Sequence, residues 1–122
     1  MEAQTTKTPM SRAQYVANSS SIFVMAAADA LTLKDFESFA NGAEETAHER
    51  DREMTEYLIG NKHALINHAA HMRTLAAKIV FLREGLIPVL KIDWNNPTFR
   101  MLAIQSMGYI RAEFEAMTIL LL

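Results

Sequence analysis

Cysteine is absent from this chain of 122 residues, and proline and glycine are scarce, with three and four copies. Without cysteine there can be no disulfide, no thiol catalysis and no cysteine-ligated zinc or iron–sulfur cluster. So few prolines and glycines, with no Asn-Gly pair between alternating apolar runs, leave little room for a β-sheet. We therefore expect helix throughout, in a single domain with one core.

Long apolar runs and an excess of one charge are also missing. The longest apolar run, 22–28, is far short of the roughly 20 residues that cross a bilayer. The first ten residues lack the order of a signal peptide. The formal net charge of −2 gives no general attraction to nucleic acid. We expect no membrane or nucleic-acid partner, and a location in the cytoplasm of a cell or of an infected host.

The motifs of common catalytic sites are absent as well. There is no Gly-x-Ser-x-Gly, no Gly-rich phosphate loop and no dinucleotide fingerprint. No serine is placed with a plausible general base. The sequence therefore predicts a protein that is not an enzyme and that uses no cofactor.

The clearest helical pattern covers 61–85 and contains three of the four histidines. Apolar residues recur there at the three-and-four spacing of one helix face. His68 falls inside the apolar sector and therefore needs a buried partner, whereas His71 falls at the edge of the polar face. Gly85 follows a basic last turn, which is typical of a left-handed helix stop and predicts a helix end near Glu84.

The first helix follows a polar tail, residues 1–10, and begins the domain of residues 11–122. Ser11 can cap this helix. The run 18–21 weakens it, because hydroxyl and amide side chains compete for the backbone. A break within that run is left open as an alternative.

A capping box starts the second helix, with Thr32 as the cap and Asp35 three residues later, so the helix should begin at Leu33. The pair 41–42, Asn-Gly, interrupts its stripe, and a glycine inside a helix costs about 1 kcal/mol relative to alanine. One continuous helix is favoured because the apolar stripe keeps its phase across the glycine.

An apolar connection, residues 86–95, precedes the last helix. Pro88 is unsuited to a helix interior and pushes the preceding residue out of helical geometry. The segment is predicted to cross an open end of the bundle and to cover the core with Leu90, Ile92 and Trp94, and a short helical turn after Pro88 is left open. The alternative is an exposed docking loop.

The last helix begins at Asn96-Pro97, with asparagine as the cap and proline in the first position. It is apolar on two sides, and four helices offer no central position, so its second face is predicted to be a self-association surface, most simply of a homodimer. The predicted interaction surface consists of Trp94, Met101, Ile104, Ile119, Leu120 and Leu122.

The fold expected from these patterns is an all-α, antiparallel bundle of about four main helices. Their predicted ranges are 11–31, 33–59, 62–84 and 97–121, with the apolar crossover at 86–95. The second helix is acidic between residues 44 and 56, with six acids against two arginines, and the stretch 61–85 is basic. Opposite charges on neighbouring helices are complementary.

Histidine and carboxylate spacings suggest two metal chemistries. Glu45-x-x-His48 has the spacing used in di-iron bundles, but helical phase directs Glu45 away from the core. His68 and His71 lie one turn apart and can share a metal with His48. The simpler interpretation makes His68 a core histidine that hydrogen-bonds across helices. A pH-sensitive helix pair is a third possibility.

Function follows from these patterns only in outline. The preferred prediction is a non-enzymatic interaction protein that self-associates through its last helix and binds another macromolecule. Small helical domains without motifs are common among accessory proteins of phages and mobile elements. The alternative is a bundle that binds a metal or small ligand through His48, His68 and His71.

Overall fold

The computed structural model describes residues 10–27 and 31–119, and in these ranges the chain is an all-α bundle without β-strands. Its elements are α1 (Arg12–Ala27), α2 (Leu33–Tyr57), α3 (Lys62–Val80), a π-helical turn (Phe81–Leu86), α4 (Ile87–Ile92) and α5 (Pro97–Thr118). The predicted all-α class is confirmed. None of the described helices is both long enough and apolar enough to cross a bilayer.

The predicted capping residues begin the helices. The Ser11 hydroxyl accepts a hydrogen bond from the backbone N–H of Gln14 at 3.2 Å, and α1 follows directly. Thr32 and Asp35 form the complete capping box of α2. Because this carboxylate accepts hydrogen bonds from Thr32, the pKa of Asp35 lies below its ordinary value. Local side-chain chemistry therefore fixes these two helix starts.

The two suspected breaks are absent. α1 continues through residues 18–21, and α2 continues through Gly42. α1 ends before the predicted residue 31, because Leu31 is not helical, and residues 28–30 lie outside the described ranges. The turn after α2 uses Gly60, whose φ of 92° suits glycine. Asn61 then caps α3 through its side chain.

The predicted helix stop at Gly85 is wrong. After Val80 the chain passes into the π-helical turn without leaving helical geometry. Among the described glycines a positive φ, as a left-handed stop requires, occurs at Gly60 and not at Gly85. A β-carbon on Gly85 would lie 3.1 Å from the Phe81 ring, so glycine here makes room for that ring. Close packing within the helix explains the glycine better than chain reversal does.

Most of the predicted crossover, residues 86–95, is helical, because it contains α4. The register change after the π turn places Pro88 in a new first turn, where a missing N–H is tolerated. Leu90 is buried as predicted, and the Trp94 ring packs on Phe36 with 5.7 Å between the ring centroids. Ile92, however, is 90% exposed and covers nothing.

α5 is the central helix of the described bundle, although the sequence pattern suggested that no helix could be. Asn96 caps it and Pro97 opens it, as predicted. Its main face enters the large core with α2, α3 and α4, while Ala112 and Ala116 form a second small core with Val16 of α1. The buried residues of α5 are Ala103, Ile104, Ser106, Met107, Gly108, Ile110, Ala112, Glu113, Ala116 and Met117.

The backbone of α1 approaches only α5: no α1 Cα lies within 8 Å of a Cα in α2, α3, α4 or the π-helical turn. The two helices approach closely at Gly108, where an added β-carbon would lie 3.1 Å from the Ser20 carbonyl oxygen. Arg12 at the start of α1 contacts Glu113 near the end of α5. Because α1 follows α5 and stands off from α3, a groove opens between these three helices.

Candidate functional site

The groove between α1, α3 and α5 has a volume of about 510 Å³. This lies within the usual range for small-molecule sites. Its walls combine small apolar residues of α1 with longer side chains of the other two helices and of the π turn. The groove is lined by Arg12, Ala13, Val16, Ala17, Ser20, His71, Lys78, Phe81, Leu102, Gln105, Ser106, Tyr109 and Glu113.

One end of the groove is built around a buried ion pair. Arg12 is 5% exposed and Glu113 is 3% exposed. The Arg12 Nε donates to Glu113 Oε1 at 2.8 Å, and the Nη2 donates to the same oxygen. A charge buried to this extent requires such a partner. The pair joins the first turn of α1 to α5 and leaves this end of the groove polar but close to neutral in charge.

Two titratable groups beside the ion pair remain uncharged near neutral pH. Burial, reinforced by the Glu113 carboxylate, raises the pKa of Tyr109 well above its ordinary value. Burial lowers the pKa of His71, and the Arg12 guanidinium acts in the same direction while Glu113 opposes it. The groove therefore contains a phenol that keeps its proton and a neutral imidazole.

The middle of the groove carries an unpaired positive charge, and its far end is apolar. The Lys78 ammonium lies 5.4 Å from the centroid of the Tyr109 ring, and no carboxylate of the described residues forms an ion pair with it. Ser106, 6% exposed, adds a hydroxyl to the lining. Phe81 and Leu102 contribute the apolar side chains at the other end.

The three histidines of the metal hypothesis lie in different environments. His68 is buried and its Nε2 lies 2.8 Å from Asp51 Oδ1, which confirms the prediction of a core histidine bonded across helices. Its Nδ1 is buried without a hydrogen-bond partner. His71 lines the groove, whereas His48 lines a smaller cavity of about 190 Å³ between α2 and α3.

The structure does not bring these histidines together as ligands. In the described ranges no group of three or more histidine, aspartate or glutamate side chains is placed to hold a metal ion. Glu45 is exposed, as its helical phase predicted. The acidic part of α2 and the basic stretch 61–85 do meet, in an ion pair between Glu44 and Arg83 of the π-helical turn at 3.5 Å.

The predicted interaction surface is divided by the fold. Met101 and Ile119 are exposed, at 42% and 53%. The prediction for Ile104 is wrong: its side chain is 3% exposed and belongs to the core, so it is not available to a partner. Trp94 is half-buried against Phe36, with Arg100 over its ring. The remaining two, Leu120 and Leu122, lie outside the described residues.

Sequence reasoning missed most of the groove. A signal was available on α5, where Ser106, Tyr109 and Glu113 recur at three-and-four spacing and form a polar line along an otherwise apolar helix. No comparable signal pointed to Arg12, which stands beside the supposed tail. Nor did any local pattern show that Lys78 would lie against Tyr109.

Fold and groove together define the described part of the chain as a small helical bundle with an amphipathic cleft of ligand size. Comparison with known proteins adds no family to this description. No protein-family model, no curated protein and no solved structure matches the chain.

Proposed function

We propose that the protein is a non-enzymatic binding protein whose groove between α1, α3 and α5 takes a small molecule with an apolar body. The observation that carries the proposal is the lining itself. Three polar side chains that are more than nine-tenths buried, Arg12, Ser106 and Glu113, share a cleft with an apolar wall. A few well-placed polar groups among apolar ones are typical of small-molecule sites.

Binding is favoured over catalysis by what the groove lacks. Nucleophilic catalysis requires a nucleophile within hydrogen-bond reach of a base. Among the described residues, no hydrogen bond joins the Ser106 hydroxyl to His71 or to Glu113. Glu113 is instead held by Arg12. These groups are arranged to fix and orient a ligand rather than to transfer a proton.

The test is a titration with Nile red, an uncharged dye that fluoresces in apolar surroundings. We expect saturable binding to the wild type and a loss of affinity of about tenfold or more in Ala17→Trp, because the indole would occupy the groove. Ala17 is exposed on the groove side of α1, so the larger side chain does not disturb the core.

Ala69→Trp is the matched control, since Ala69 is exposed on α3 and does not line the groove. It should bind the dye like the wild type. Circular dichroism should show the same helix content for all three proteins. Equal dye affinity in Ala17→Trp and the wild type would exclude this groove as the site.

Self-association through α5 and a macromolecular partner, the functions favoured by sequence, remain untested predictions. Exposed apolar surface supports such contacts: Met101 on α5, Ile119 directly after it, and Tyr57, Ile59 and Ile66 around the α2–α3 turn. The fold weakens the argument for self-association through α5, because α1 covers Ala112 and Ala116, and Ile104 lies in the large core. A light-scattering mass at tens of micromolar equal to one chain of 13.7 kDa would count against the homodimer.

A further inference from the structure

We propose, on the basis of the groove function above, that the bound molecule is a free monoanionic organic acid. Its carboxylate lies at Lys78, and its apolar body lies toward Phe81 and Leu102. The inference adds the chemical class of the ligand, its charge and its orientation. It follows from the charges of the groove and from their order along the helices.

The charges of the groove leave one positive charge without a counterion. Arg12 and Glu113 neutralise each other in a buried pair. The imidazole of His71 is neutral near pH 7 because burial lowers its pKa. Lys78 alone among the charged groups of the lining has no carboxylate partner in the described part of the chain. One unpaired ammonium matches one negative charge on the ligand.

The order of residues along α3 sets the orientation of the ligand. His71 lies at the polar end beside Arg12 and Glu113, and Lys78 follows about 10 Å along the helix axis, at 1.5 Å per residue. Phe81 lies roughly 4–5 Å further on, where the groove is apolar. With its carboxylate at Lys78, the body of the molecule meets the apolar end, and the amide of Gln105 and the hydroxyl of Ser106 line the same groove.

Other charge classes fit the groove less well. A cation would be repelled by Lys78, and Glu113 cannot compensate because it is already paired. A neutral molecule would enter the apolar part of the groove but would gain no attraction from the ammonium of Lys78. A phosphate monoester carries about −1.5 to −2 near neutral pH and would bring more charge than one lysine balances.

The experiment compares three probes with the same hydrocarbon body: decanoate, decanamide and decylamine. Each is titrated calorimetrically at about pH 7.5 and low salt, where the carboxylate is ionised and the amine protonated. We expect decanoate to bind about tenfold more tightly than decanamide, as for a hydrogen bond to a charged group, and decylamine to bind most weakly. The advantage of decanoate should shrink at high ionic strength, because Lys78 is exposed to solvent.

Three variants test whether the preference for decanoate over decanamide depends on Lys78 and on the groove. Lys78→Gln should lower decanoate affinity to that of decanamide and leave decanamide unchanged. Lys62→Gln, at the other end of α3 and outside the groove, should keep the wild-type preference. Ala17→Trp should weaken decanoate as it weakens Nile red, which places both probes in the same groove.

Several outcomes would overturn the inference. These are equal affinities of decanoate and decanamide for the wild type, tighter binding of decylamine, and an unchanged preference in Lys78→Gln. Absence of binding by decanoate and also by naphthoic acid, which has a rigid aromatic body, would do the same. If Ala17→Trp nevertheless weakens Nile red binding in those cases, the proposed binding function of the groove stands and only the assignment of an organic acid as its ligand fails.

Discussion

Arg12 and Glu113 link the start of α1 to α5 through an ion pair hidden from solvent. Buried pairs are not strong sources of stability, because desolvation offsets most of the attraction. Their geometry is nevertheless demanding, since either charge is costly when its partner moves away. At the scale of single residues the pair therefore fixes the position of α1 and, with it, the width of the polar end of the groove.

His71 gives stability a pH dependence at the same end of the groove. Its pKa lies below the ordinary value of 6.5, first because of burial and then because of the Arg12 guanidinium; His68 adds to the shift and Glu113 opposes it. The unfolded chain therefore binds more protons than the folded chain as the pH falls through 6.5. Stability should decrease from there down to the folded pKa and then level off.

His71→Gln should remove this contribution. We expect the loss of unfolding free energy between about pH 7.5 and pH 5.5 to be smaller in the variant than in the wild type. Urea denaturation at several pH values measures it. His63→Gln, on an exposed part of α3, serves as the control and should keep the wild-type slope. The pKa of Asp35 is lowered from 3.8, so the effect of its protonation on stability falls at more acidic pH than the range of this measurement.

At the scale of elements, the α1–α5 crossing depends on the absence of a side chain at Gly108. An added β-carbon would lie 3.1 Å from the Ser20 carbonyl oxygen and 3.1 Å from the Phe23 ring. The ring can move, but the backbone oxygen moves only if α1 moves. A glycine in the helix interior is kept here despite its poor helix propensity, since it allows close approach.

Two glycine substitutions should therefore have opposite effects. Gly108→Ala is expected to destabilise the protein by about 1–2 kcal/mol, because overpacking outweighs the gain in helix propensity. Gly42→Ala, in the exposed part of α2 with nothing within 4 Å of the added carbon, should stabilise it by about 1 kcal/mol. Urea denaturation of both variants checks the pair. Stabilisation by Gly108→Ala would contradict the described crossing.

At the scale of the whole molecule, α5 separates two cores of unequal size. The large core joins α5 to α2, α3 and α4, and the small one joins it to α1. The backbone of α1 approaches only α5 in the described bundle, and α1 adds the partly buried Phe23 and Val24 but no buried residue to the large core, so that core can persist when α1 separates. Cooperative units of this kind open locally with less free energy than global unfolding requires.

We therefore expect the amides of α1 to exchange with deuterium faster than those of α3 and α5 under native conditions. Hydrogen exchange followed by mass spectrometry of peptides from each helix measures the difference. Gly108→Ala should increase the exchange rate of the α1 amides further and leave that of the α3 amides unchanged, because the strain it causes falls on the α1–α5 contact. Equal protection in all helices would show that α1 belongs to the same cooperative unit as the rest.

The sequence by itself determined the features that depend on neighbours in the chain. The helix starts at Ser11, Thr32 and Asn96 follow from side chains that bond to backbone groups three residues away. Burial of His68 follows from its phase on α3. The all-α class follows in the same way from spacing and from the scarcity of turn residues. None of these features requires knowledge of which helices pack against each other.

Only the tertiary structure decided which surface covers the second face of α5. The periodicity of α5 predicts that Ile104 and Ala112 are buried. It does not show whether another helix of the same chain or a second copy of the chain buries them, because both require the same apolar pattern. Similarly, Gly85 resembles a helix stop locally, and only the position of the Phe81 ring accounts for it. The groove arises because α1 approaches α5 and not α3, a distance between helices that short-range sequence patterns do not encode.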